Sequence, residues 1–325
     1  MDLRRGRDWL VSKWIGRRIG EFKASGGKVI VITGSYGKTS VRELTYDLLR
    51  HKYSVLASSR NYNTVMGIAK TLRWELTSEV RWLILEVGAY RVGEITEFCR
   101  ILRPDIGVVT GIARQHLSRF GSWEKIITAK TEIVRYLAKT GGILIANGSD
   151  ETVKAGVKDA TWYGGVGREE INRNGAKEVA KAAGMSEAEV QRWASTFRSV
   201  PNRFEWTEER YGMKVIDDSY NSNEKSFAEA VAYLGEQKKY ARIVVTPGLL
   251  ELGAESAAIH RELGTLIAAN ADYAILVGKN ARTENLAKGM GKKIGVVQID
   301  KTLEFMGEVR KLRLEKEPLV LLEND

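Results

Sequence analysis

One stretch, residues 29–40, constrains the fold more than any other part of the chain. It reads Val-Ile-Val-Ile-Thr-Gly-Ser-Tyr-Gly-Lys-Thr-Ser, a β-branched apolar run followed by two glycines, a lysine and two hydroxyl residues. Apolar residues at helical spacing come next, so the pattern predicts a strand, a tight loop and a helix. Gly34 and Gly37 would let backbone N–H groups close around an anion at the helix N terminus, where the helix dipole favours negative charge.

The two residues after the second glycine add chemistry that a turn does not need. Lys38 can reach the outer phosphates of a nucleotide, and Thr39 can offer its hydroxyl to Mg²⁺. The spacing is G-x-x-G-K-T, two residues shorter than the usual phosphate loop, which would place a glycine at Ile32. An ordinary strand-to-helix turn is the alternative, but turn chemistry explains the glycines and not the Lys-Thr pair.

The composition limits the classes of partner and of metal site. The chain has 51 lysine and arginine residues against 41 aspartate and glutamate residues, a formal charge of +10. Such an excess suits a nucleotide, a phosphorylated substrate, nucleic acid or a membrane surface, without choosing among them. One cysteine, Cys99, excludes an intramolecular disulfide and a cysteine metal cluster, and three histidines leave little room for a histidine-rich site. No apolar run approaches a membrane-spanning length and no signal peptide is visible, so we expect a cytoplasmic protein.

Residues 1–28 are expected to form a separate, basic amphipathic helix. They contain eight basic residues and three acidic ones, and Val11, Ile15, Ile19 and Phe22 recur at helical spacing. The helix could pack on the first domain, or it could touch an anionic membrane surface at the inner face of the membrane. We favour packing, because so short an apolar stripe binds membranes weakly by itself.

From residue 29 onwards, strand and helix patterns alternate, and the fold class predicted is α/β with mainly parallel sheets. Pro201 marks a boundary, so we expect a central domain at 29–200 and a C-terminal domain at 201–325. The predicted elements of the first are strands at 29–33, 53–57, 82–86, 106–110 and 142–146 and helices at 38–50, 92–102, 122–138, 172–183 and 186–197. Those of the second are strands at 214–216, 242–246, 273–277, 294–298 and 319–322 and helices at 224–235, 255–269, 280–289 and 301–313. Both domains are predicted to be doubly wound, the first resembling a P-loop NTPase and the second a smaller Rossmann-like domain.

Candidate site residues follow from position. Ligands of such sheets bind at the carboxyl ends of the strands. Glu86 ends the run Trp-Leu-Ile-Leu and is placed to bind Mg²⁺ beside the phosphate loop, although a helix-capping or surface role is the alternative. By themselves, His116 in a loop would be a hydrogen-bonding residue and Lys130 on an amphipathic helix a solvated charge.

Eight elements, taken together, resemble the Mur ligase family of ATP-dependent ligases over residues 29 to about 280. Within the family, they are most similar to the type that adds D-alanyl-D-alanine to a UDP-muramoyl tripeptide. The elements are G-S-Y-G-K-T-S (34–40), N-Y-N-T-V-M-G (61–67), E-V-G-A with G-E-I (86–89, 93–95), H-L with F-G-S (116–117, 120–122), A-K-T-E-I (129–133), N-R (202–203), D-D-S-Y-N-S-N (217–223) and E-L-G with histidine (251–253, 260). Their shared order and spacing identify the family, and the short phosphate loop is the family's form.

The resemblance implies the roles of individual residues. ATP would be bound by Gly34, Ser35, Tyr36, Gly37, Lys38, Thr39, Ser40, Asn147, Arg203, Asp218 and Asn221. Two Mg²⁺ ions would be held by Thr39, Glu86, His116 and Lys130, with Lys130 carbamylated by CO₂ into an anionic ligand. The implied catalytic residues are Lys38, Glu86, His116, Lys130 and Arg203. The implied substrate contacts are Asn61, Asn63, Tyr220 and Asn223.

The reaction implied by the resemblance has two steps. A substrate carboxylate attacks the γ-phosphate to give an acyl phosphate, and an amine then displaces phosphate to form an amide. Both steps gather negative charge at one place, which suits two metal ions and a lysine.

Three departures from the family leave the acid and the amine open. Only 28 residues precede the first strand, a strand-rich insertion between Asn147 and Asn172 is missing, and the sequence given stops at Asp325. We therefore expect the UDP-sugar-binding N-terminal domain to be lacking, and the substrate to be a cell-wall, amino-acid or peptide acid. A ligase similar to poly-γ-glutamate synthetases and an ATP-binding regulatory module that needs a partner chain are the alternatives. Nucleic acid is not expected, because no aromatic stacking platform accompanies the charge.

Overall fold

The computed structural model describes residues 3–59, 62–196, 205–210, 213–218 and 223–323. The chain forms two compact units, one of Met1–Ile112 with Ser122–Arg198 and the other of Ala113–Gly121 with Ser199–Asp325. The short segment 113–121, which interrupts the sequence of the first unit, thus groups with the second.

The first unit is built on a parallel sheet of six strands in the order β2-β3-β1-β4-β5-β6. Its strands are β1 (Lys28–Thr33), β2 (Val55–Ala57), β3 (Trp82–Glu86), β4 (Ile106–Val109), β5 (Ile143–Asn147) and β6 (Thr161–Tyr163). All residues of β3 and β4, and all of β1 after Lys28, are buried. Helices cover both faces of such a sheet, which is why these strands read as continuous apolar runs rather than alternating ones.

One helix of the first unit precedes β1, and the others lie between and after the strands. They are α1 (Leu3–Ala24), α2 (Lys38–Leu49), α3 (Val65–Trp74), α4 (Glu94–Leu102), α6 (Trp123–Lys130), α7 (Glu132–Thr140), α8 (Glu151–Gly156), α9 (Arg168–Ala182) and α10 (Glu187–Thr196), while α5 (Leu117–Phe120) lies in the segment 113–121. Helix α1 contacts α3 and α4 and buries Ile15, Ile19 and Phe22. Its C-terminal half is therefore packed against other helices of the first unit. Among the described residues, no helix combines the length and the apolar composition needed to cross a membrane.

The prediction of a single helix at 122–138 is wrong in one respect. This segment forms two helices, which meet at Thr131. The Thr131 hydroxyl donates a hydrogen bond to the carbonyl of Ile127, at 2.9 Å. A threonine hydroxyl bonded four residues back competes with the backbone and bends a helix. The break places the end of α6, and with it Lys130, against the loop that follows β3.

The second unit has a sheet of six strands in the order β11-β10-β9-β12-β8-β7. Its strands are β7 (Glu205–Arg210), β8 (Met213–Asp218), β9 (Ala241–Thr246), β10 (Tyr273–Val277), β11 (Gly295–Ile299) and β12 (Pro318–Glu323). Its further helices are α11 (Glu224–Glu236), α12 (Ser256–Asn270), α13 (Ala281–Met290) and α14 (Phe305–Lys311), with 3₁₀ helices at Gly253–Glu255 and Thr302–Glu304. All pairings are parallel except that of β7 with β8. The predicted α/β fold with two mainly parallel sheets is confirmed.

Candidate functional site

Two positions of the loop between β1 and α2 have backbone conformations that favour glycine. Gly34 has φ 145°, and a Cβ atom there would overlap the hydroxyl of Thr110. Gly37 has φ 81° and occupies the N-cap of α2, where it offers no side chain to cap the helix. The first N–H groups of a helix have no partner within the helix, so an uncapped N terminus attracts an anion. The geometry at Gly37 is therefore that of a phosphate cradle.

The same loop is tied to two neighbouring parts of the sheet. The Ser35 amide donates to the carbonyl of Gly111 (2.7 Å), and the Thr110 hydroxyl donates to the carbonyl of Tyr36 (2.6 Å). The Tyr36 hydroxyl donates to the carboxylate of Asp150 at 2.6 Å, and the tyrosine ring covers Gly111 so closely that a Cβ atom there would overlap it. The loop is thus held by the residues that follow β4 and β5.

A buried carboxylate lies beside the first turn of α2. The Thr39 hydroxyl donates to Glu86 Oε2 at 2.8 Å, and Arg42 Nη1 donates to the same oxygen at 3.2 Å. Glu86 is 3% exposed and Arg42 is 1% exposed. Lys38 Nζ donates to the carbonyl of Ser35 at 3.0 Å, at the mouth of the loop. The predicted residues Lys38, Thr39 and Glu86 are therefore together at one edge of the sheet.

Lys130, the last residue of α6, is buried in the same neighbourhood. It is 4% exposed, and its Nζ donates to the carbonyl of Ala89 at 3.3 Å. Burial, helped by repulsion from Lys38, lowers the pKa of Lys130 to about 7, against the attraction of Glu94 and Glu86. A large share of this amine is therefore neutral near pH 7, which is the form that can act as a nucleophile.

The donor set fits Mg²⁺ at Thr39 and Glu86. A hydroxyl and a carboxylate are the hard oxygen ligands that Mg²⁺ accepts, and it completes its shell with water and phosphate oxygens. Within the described ranges, no cluster of three or more histidine, cysteine, aspartate or glutamate side chains is arranged to hold a metal. A metal ion at this edge would therefore depend on the threonine hydroxyl, on substrate oxygens or on a modified lysine.

Glu132 fixes the loop that runs from β3 to α4. Its carboxylate accepts hydrogen bonds from the amides of Gly93 and Thr96, the latter at 2.7 Å, and so caps α4. Glu94 accepts from the amide of Tyr90, at 2.7 Å, and closes the same loop from within. The loop carries the Ala89 carbonyl, so Glu132 supports the surroundings of Lys130, two residues before it.

His116 lies in the segment 113–121 and is described with the second unit. It has φ 58° and its Nδ1 contacts the carboxylate of Glu251, to which Arg119 Nη2 also donates at 2.8 Å. The hydrogen bond from His116 is the main reason that the pKa of Glu251 lies below its ordinary value, with the charge of Arg119 acting in the same direction. This pair also joins the E-L-G element to the H-L element.

The other predicted residues lie at element ends. Asn147 ends β5, is 3% exposed, and its side chain accepts from the amide of Ser149 at 3.0 Å. The carbonyl of Asn63 accepts from the amide of Gly88, at 3.1 Å, and Asp218 ends β8 at 6% exposure. Asn223 is the N-cap of α11 and forms a capping box with Ser226.

Ser40 is buried in the first turn of α2. Four predicted residues lie outside the described residues: Asn61, Arg203, Tyr220 and Asn221.

Comparison with known proteins decides the family. The model of the Mur ligase middle domain matches residues 32–196, and the model of the Mur ligase glutamate ligase domain matches residues 202–322. The chain belongs to the Mur ligase family. This Mur ligase is 30% identical over 307 residues to the UDP-N-acetylmuramoyl-tripeptide–D-alanyl-D-alanine ligase of Escherichia coli, an alignment that covers 82% of the chain and 68% of that protein. The chain thus spans about two thirds of the length of that relative, and less than two thirds of several others.

Two crystal structures confirm the fold of this Mur ligase. MurF from Acinetobacter baumannii superposes with a TM-score of 0.84 at 22% identity, covering 98% of the chain and 77% of that protein. MurF from Thermotoga maritima, solved in complex with ADP, superposes with a TM-score of 0.81 at 24% identity, covering 98% and 80%.

Sequence reasoning on this Mur ligase missed four residues that support the candidate site. Thr110 and Asp150 hold the loop, Arg42 pairs with Glu86, and Glu132 caps α4. Glu132 belongs to the A-K-T-E-I element and Arg42 lies three residues after Thr39, so their proximity to the site was visible although their partners were not. Asp150 is 114 positions from Tyr36, and nothing in the sequence connects the two.

Proposed function

We propose that this Mur ligase is an ATP-dependent carboxylate–amine ligase that forms an amide through an acyl phosphate. The observation that carries the proposal is the hydrogen bond of 2.8 Å between Thr39 and the buried Glu86, at the uncapped N terminus that follows the glycine loop. A hydroxyl, a carboxylate and Lys38 at one edge are the groups that position and neutralise the phosphates of ATP. The E. coli relative is named as a ligase, which supports the same reaction class.

In the proposed reaction, the loop 34–40 binds the phosphates, and Lys38 turns from the Ser35 carbonyl to the γ-phosphate. Thr39 and Glu86 would hold Mg²⁺, which would neutralise negative charge on the phosphates. An acid substrate attacks the γ-phosphorus through a carboxylate oxygen, the bond to ADP breaks, and an acyl phosphate forms. The amine then attacks the acyl carbon, loses a proton, and releases phosphate. Lys38 stabilises the negative charge that develops in both steps.

We further propose that Lys130 reacts with CO₂, giving a carbamate and releasing a proton. The reaction needs a neutral amine, which is favoured by the burial of Lys130 and by the lowering of its pKa to about 7. The carbamate would carry a negative charge, whereas the unmodified lysine carries a positive charge or none. Together with His116 it would serve as ligand of a second Mg²⁺.

Further residues of the chain are proposed to contact the nucleotide and the substrate. The nucleotide residues would be Asn147, Arg203, Asp218 and Asn221, and the substrate residues would be Asn61, Asn63, Tyr220 and Asn223. The E. coli relative is named for a UDP-N-acetylmuramoyl tripeptide and D-alanyl-D-alanine. By extension, we propose a cell-wall peptide acid and a small amine as substrates. Contact with the inner face of a membrane is a separate proposal on which the ligase activity does not depend.

The proposal is tested by measuring the release of ADP with and without candidate acids and amines. Mass spectrometry of the same reactions detects any new amide. Lys38→Ala and Glu86→Ala should each lower the rate about 100-fold or more, as expected for groups that stabilise transferring charge. Glu97→Ala removes an exposed carboxylate from α4 and serves as the matched control, which should keep the rate. Full ATP turnover in the absence of any acid and amine would contradict a ligase.

A further inference from the structure

The N-terminal half of α1 and the outer face of α3 leave an apolar groove open to solvent. The groove has a volume of about 320 Å³. We call it, with two flanking residues of α1, the α1–α3 surface: Trp9, Leu10, Val11, Lys13, Trp14, Met66, Ala69, Lys70, Arg73 and Trp74. Trp9 is 56% exposed, Leu10 61% and Trp74 75%. The exposed Leu10 and Trp74 line the same groove, and Trp9 precedes Leu10 on α1. Exposed apolar side chains that lie together in this way mark an interaction site.

The α1–α3 surface is held in place by the rest of α1. Ile15, Ile19 and Phe22 are buried, and Lys23 Nζ forms a salt bridge of 2.6 Å with Asp105, next to β4. The apolar residues of the C-terminal half of the helix are therefore used by the fold, whereas Trp9 and Leu10 in the N-terminal half point outward. A patch on a fixed helix needs no folding step to meet its partner.

Cations accompany the aromatic rings of this surface. Lys13 Nζ lies 3.8 Å from the ring centroid of Trp9, and the guanidinium of Arg73 lies 5.2 Å from that of Trp74. Helix α1 has seven basic and two acidic residues, and α3 has two basic residues and no acidic one. These two helices therefore supply most of the excess of +10 that the whole chain carries.

We infer that the α1–α3 surface docks on an anionic lipid bilayer. Tryptophan is the residue that partitions to the level of the lipid headgroups, and lysine and arginine beside it attract acidic phospholipids. A second copy of the chain would bring two strongly basic surfaces together, which is repulsive. The core of a protein interface is depleted in charged residues, whereas Lys70 and Arg73 lie within this groove. The inference does not rest on the proposed ligase activity.

Flotation of the full chain with vesicles tests the inference. Vesicles of phosphatidylcholine with phosphatidylglycerol should bind at least about tenfold more protein than vesicles of phosphatidylcholine alone, because several cations act together. High salt should release the protein, since it screens the exposed charges. The double variant Lys70→Glu with Arg73→Glu should lower binding to the anionic vesicles by more than about tenfold, at roughly fivefold for each cation removed.

The aromatic part of the surface has its own variant and control. Trp74→Ser should weaken vesicle binding, whereas Trp162→Ser, which removes a tryptophan that is 41% exposed on β6, should not. Circular dichroism should show both variants folded. Equal binding to neutral and anionic vesicles, or no loss in Trp74→Ser, would overturn the inference. A dimer that dissociates in Trp74→Ser would assign the surface to a second copy instead.

Discussion

Arg42 shows how a single buried charge organises the candidate site. Its side chain is 1% exposed and donates to Glu86, while its other terminal nitrogen contacts Glu43. Buried ions are tolerated only when paired, so Arg42 and Glu86 stabilise each other in the absence of a metal ion. Arg42 is thus a positioning residue that holds the carboxylate beside Thr39.

Removing the Arg42 side chain should therefore destabilise the fold, because the buried carboxylate of Glu86 would lose its cationic partner. We predict that Arg42→Met lowers the free energy of unfolding by about 3–5 kcal/mol, the usual effect of breaking a buried pair from one side. Urea denaturation measures this change, and added Mg²⁺ should restore part of it if Glu86 binds the ion. Glu43→Gln, at the half-exposed partner, is the control and should change stability by less than about 1 kcal/mol. Equal effects of the two variants would refute the pairing.

His260 is a second residue whose protonation is set by its surroundings. It is fully buried, its Nε2 accepts from the amide of Leu249 (3.0 Å), and its Nδ1 donates to the carbonyl of Ser256 (2.6 Å). Burial lowers the pKa of His260 below its ordinary value of 6.5, although the bond to Ser256 acts in the opposite direction. A proton on Nε2 would face the Leu249 N–H, so the neutral ring is the one that fits.

The lowered pKa of His260 makes the stability of the folded chain depend on pH in one direction. Above pH 6.5 both the folded and the unfolded chain hold a neutral His260, and its contribution to stability is complete. As the pH falls from 6.5 towards the lowered pKa of the folded chain, the unfolded chain takes up a proton that the folded chain resists, so stability is lost. We predict that His260→Gln flattens the decline of the unfolding midpoint between pH 7 and pH 5. His51→Gln, at an exposed position, should leave the slope unchanged, and a slope that is the same in all three proteins would contradict the prediction.

At the scale of elements, the junction of α6 and α7 couples two parts of the first unit. The carboxylate of Glu132, at the start of α7, is the N-terminal cap of α4. We predict that Glu132→Ala costs about 2 kcal/mol, because two amides lose their acceptor and α4 loses a charge at its positive end. Thermal unfolding followed by circular dichroism measures the loss. Glu97→Ala removes a charge from the same first turn of α4 and should change stability by about 0.5 kcal/mol or less.

The helices and strands differ in how well the sequence predicts them. The strands around β1 are predictable, because strands buried on both faces are continuous apolar runs. The carboxyl ends of such strands meet at one edge, which is why Thr39 and Glu86 come within hydrogen-bond distance as their positions imply. The role of Glu132 was not predictable, since its partners are the amides of Gly93 and Thr96, which lie 39 and 36 positions away in the sequence. Strands β2 and β6 have three residues each, and the length of a weak, partly exposed strand is set by its neighbours.

At the scale of the whole molecule, nucleotide binding should be visible as stability, independently of amide formation. A ligand present at one hundred times its dissociation constant adds about 2.7 kcal/mol to the free energy of unfolding. We predict that ATP with Mg²⁺ raises the thermal midpoint of the chain and that Lys38→Ala removes most of this increase. Lys125→Ala, at an exposed position of α6, is the matched control. An increase that survives in Lys38→Ala would place the nucleotide elsewhere.

The charge of the whole molecule is distributed unevenly, with α1 and α3 holding most of the excess of +10. Composition alone suggested an anionic partner and left its kind open. The proposed nucleotide site would account for one anionic partner, and the proposed membrane contact of the α1–α3 surface would account for another.

The loop of residues 34–37 has one more consequence, which concerns entropy. Gly111, Thr110 and Asp150 hold this loop in place by hydrogen bonds to Ser35 and Tyr36. Ordering a free backbone costs about 1–2 kcal/mol per residue. In this chain that ordering takes place during folding, so a nucleotide that binds here as proposed would meet a loop that is already ordered. Residues that do not contact the phosphate should therefore contribute to the affinity of this loop for it. A change at Asp150 should weaken phosphate binding, because the loop would then lose more backbone entropy on binding.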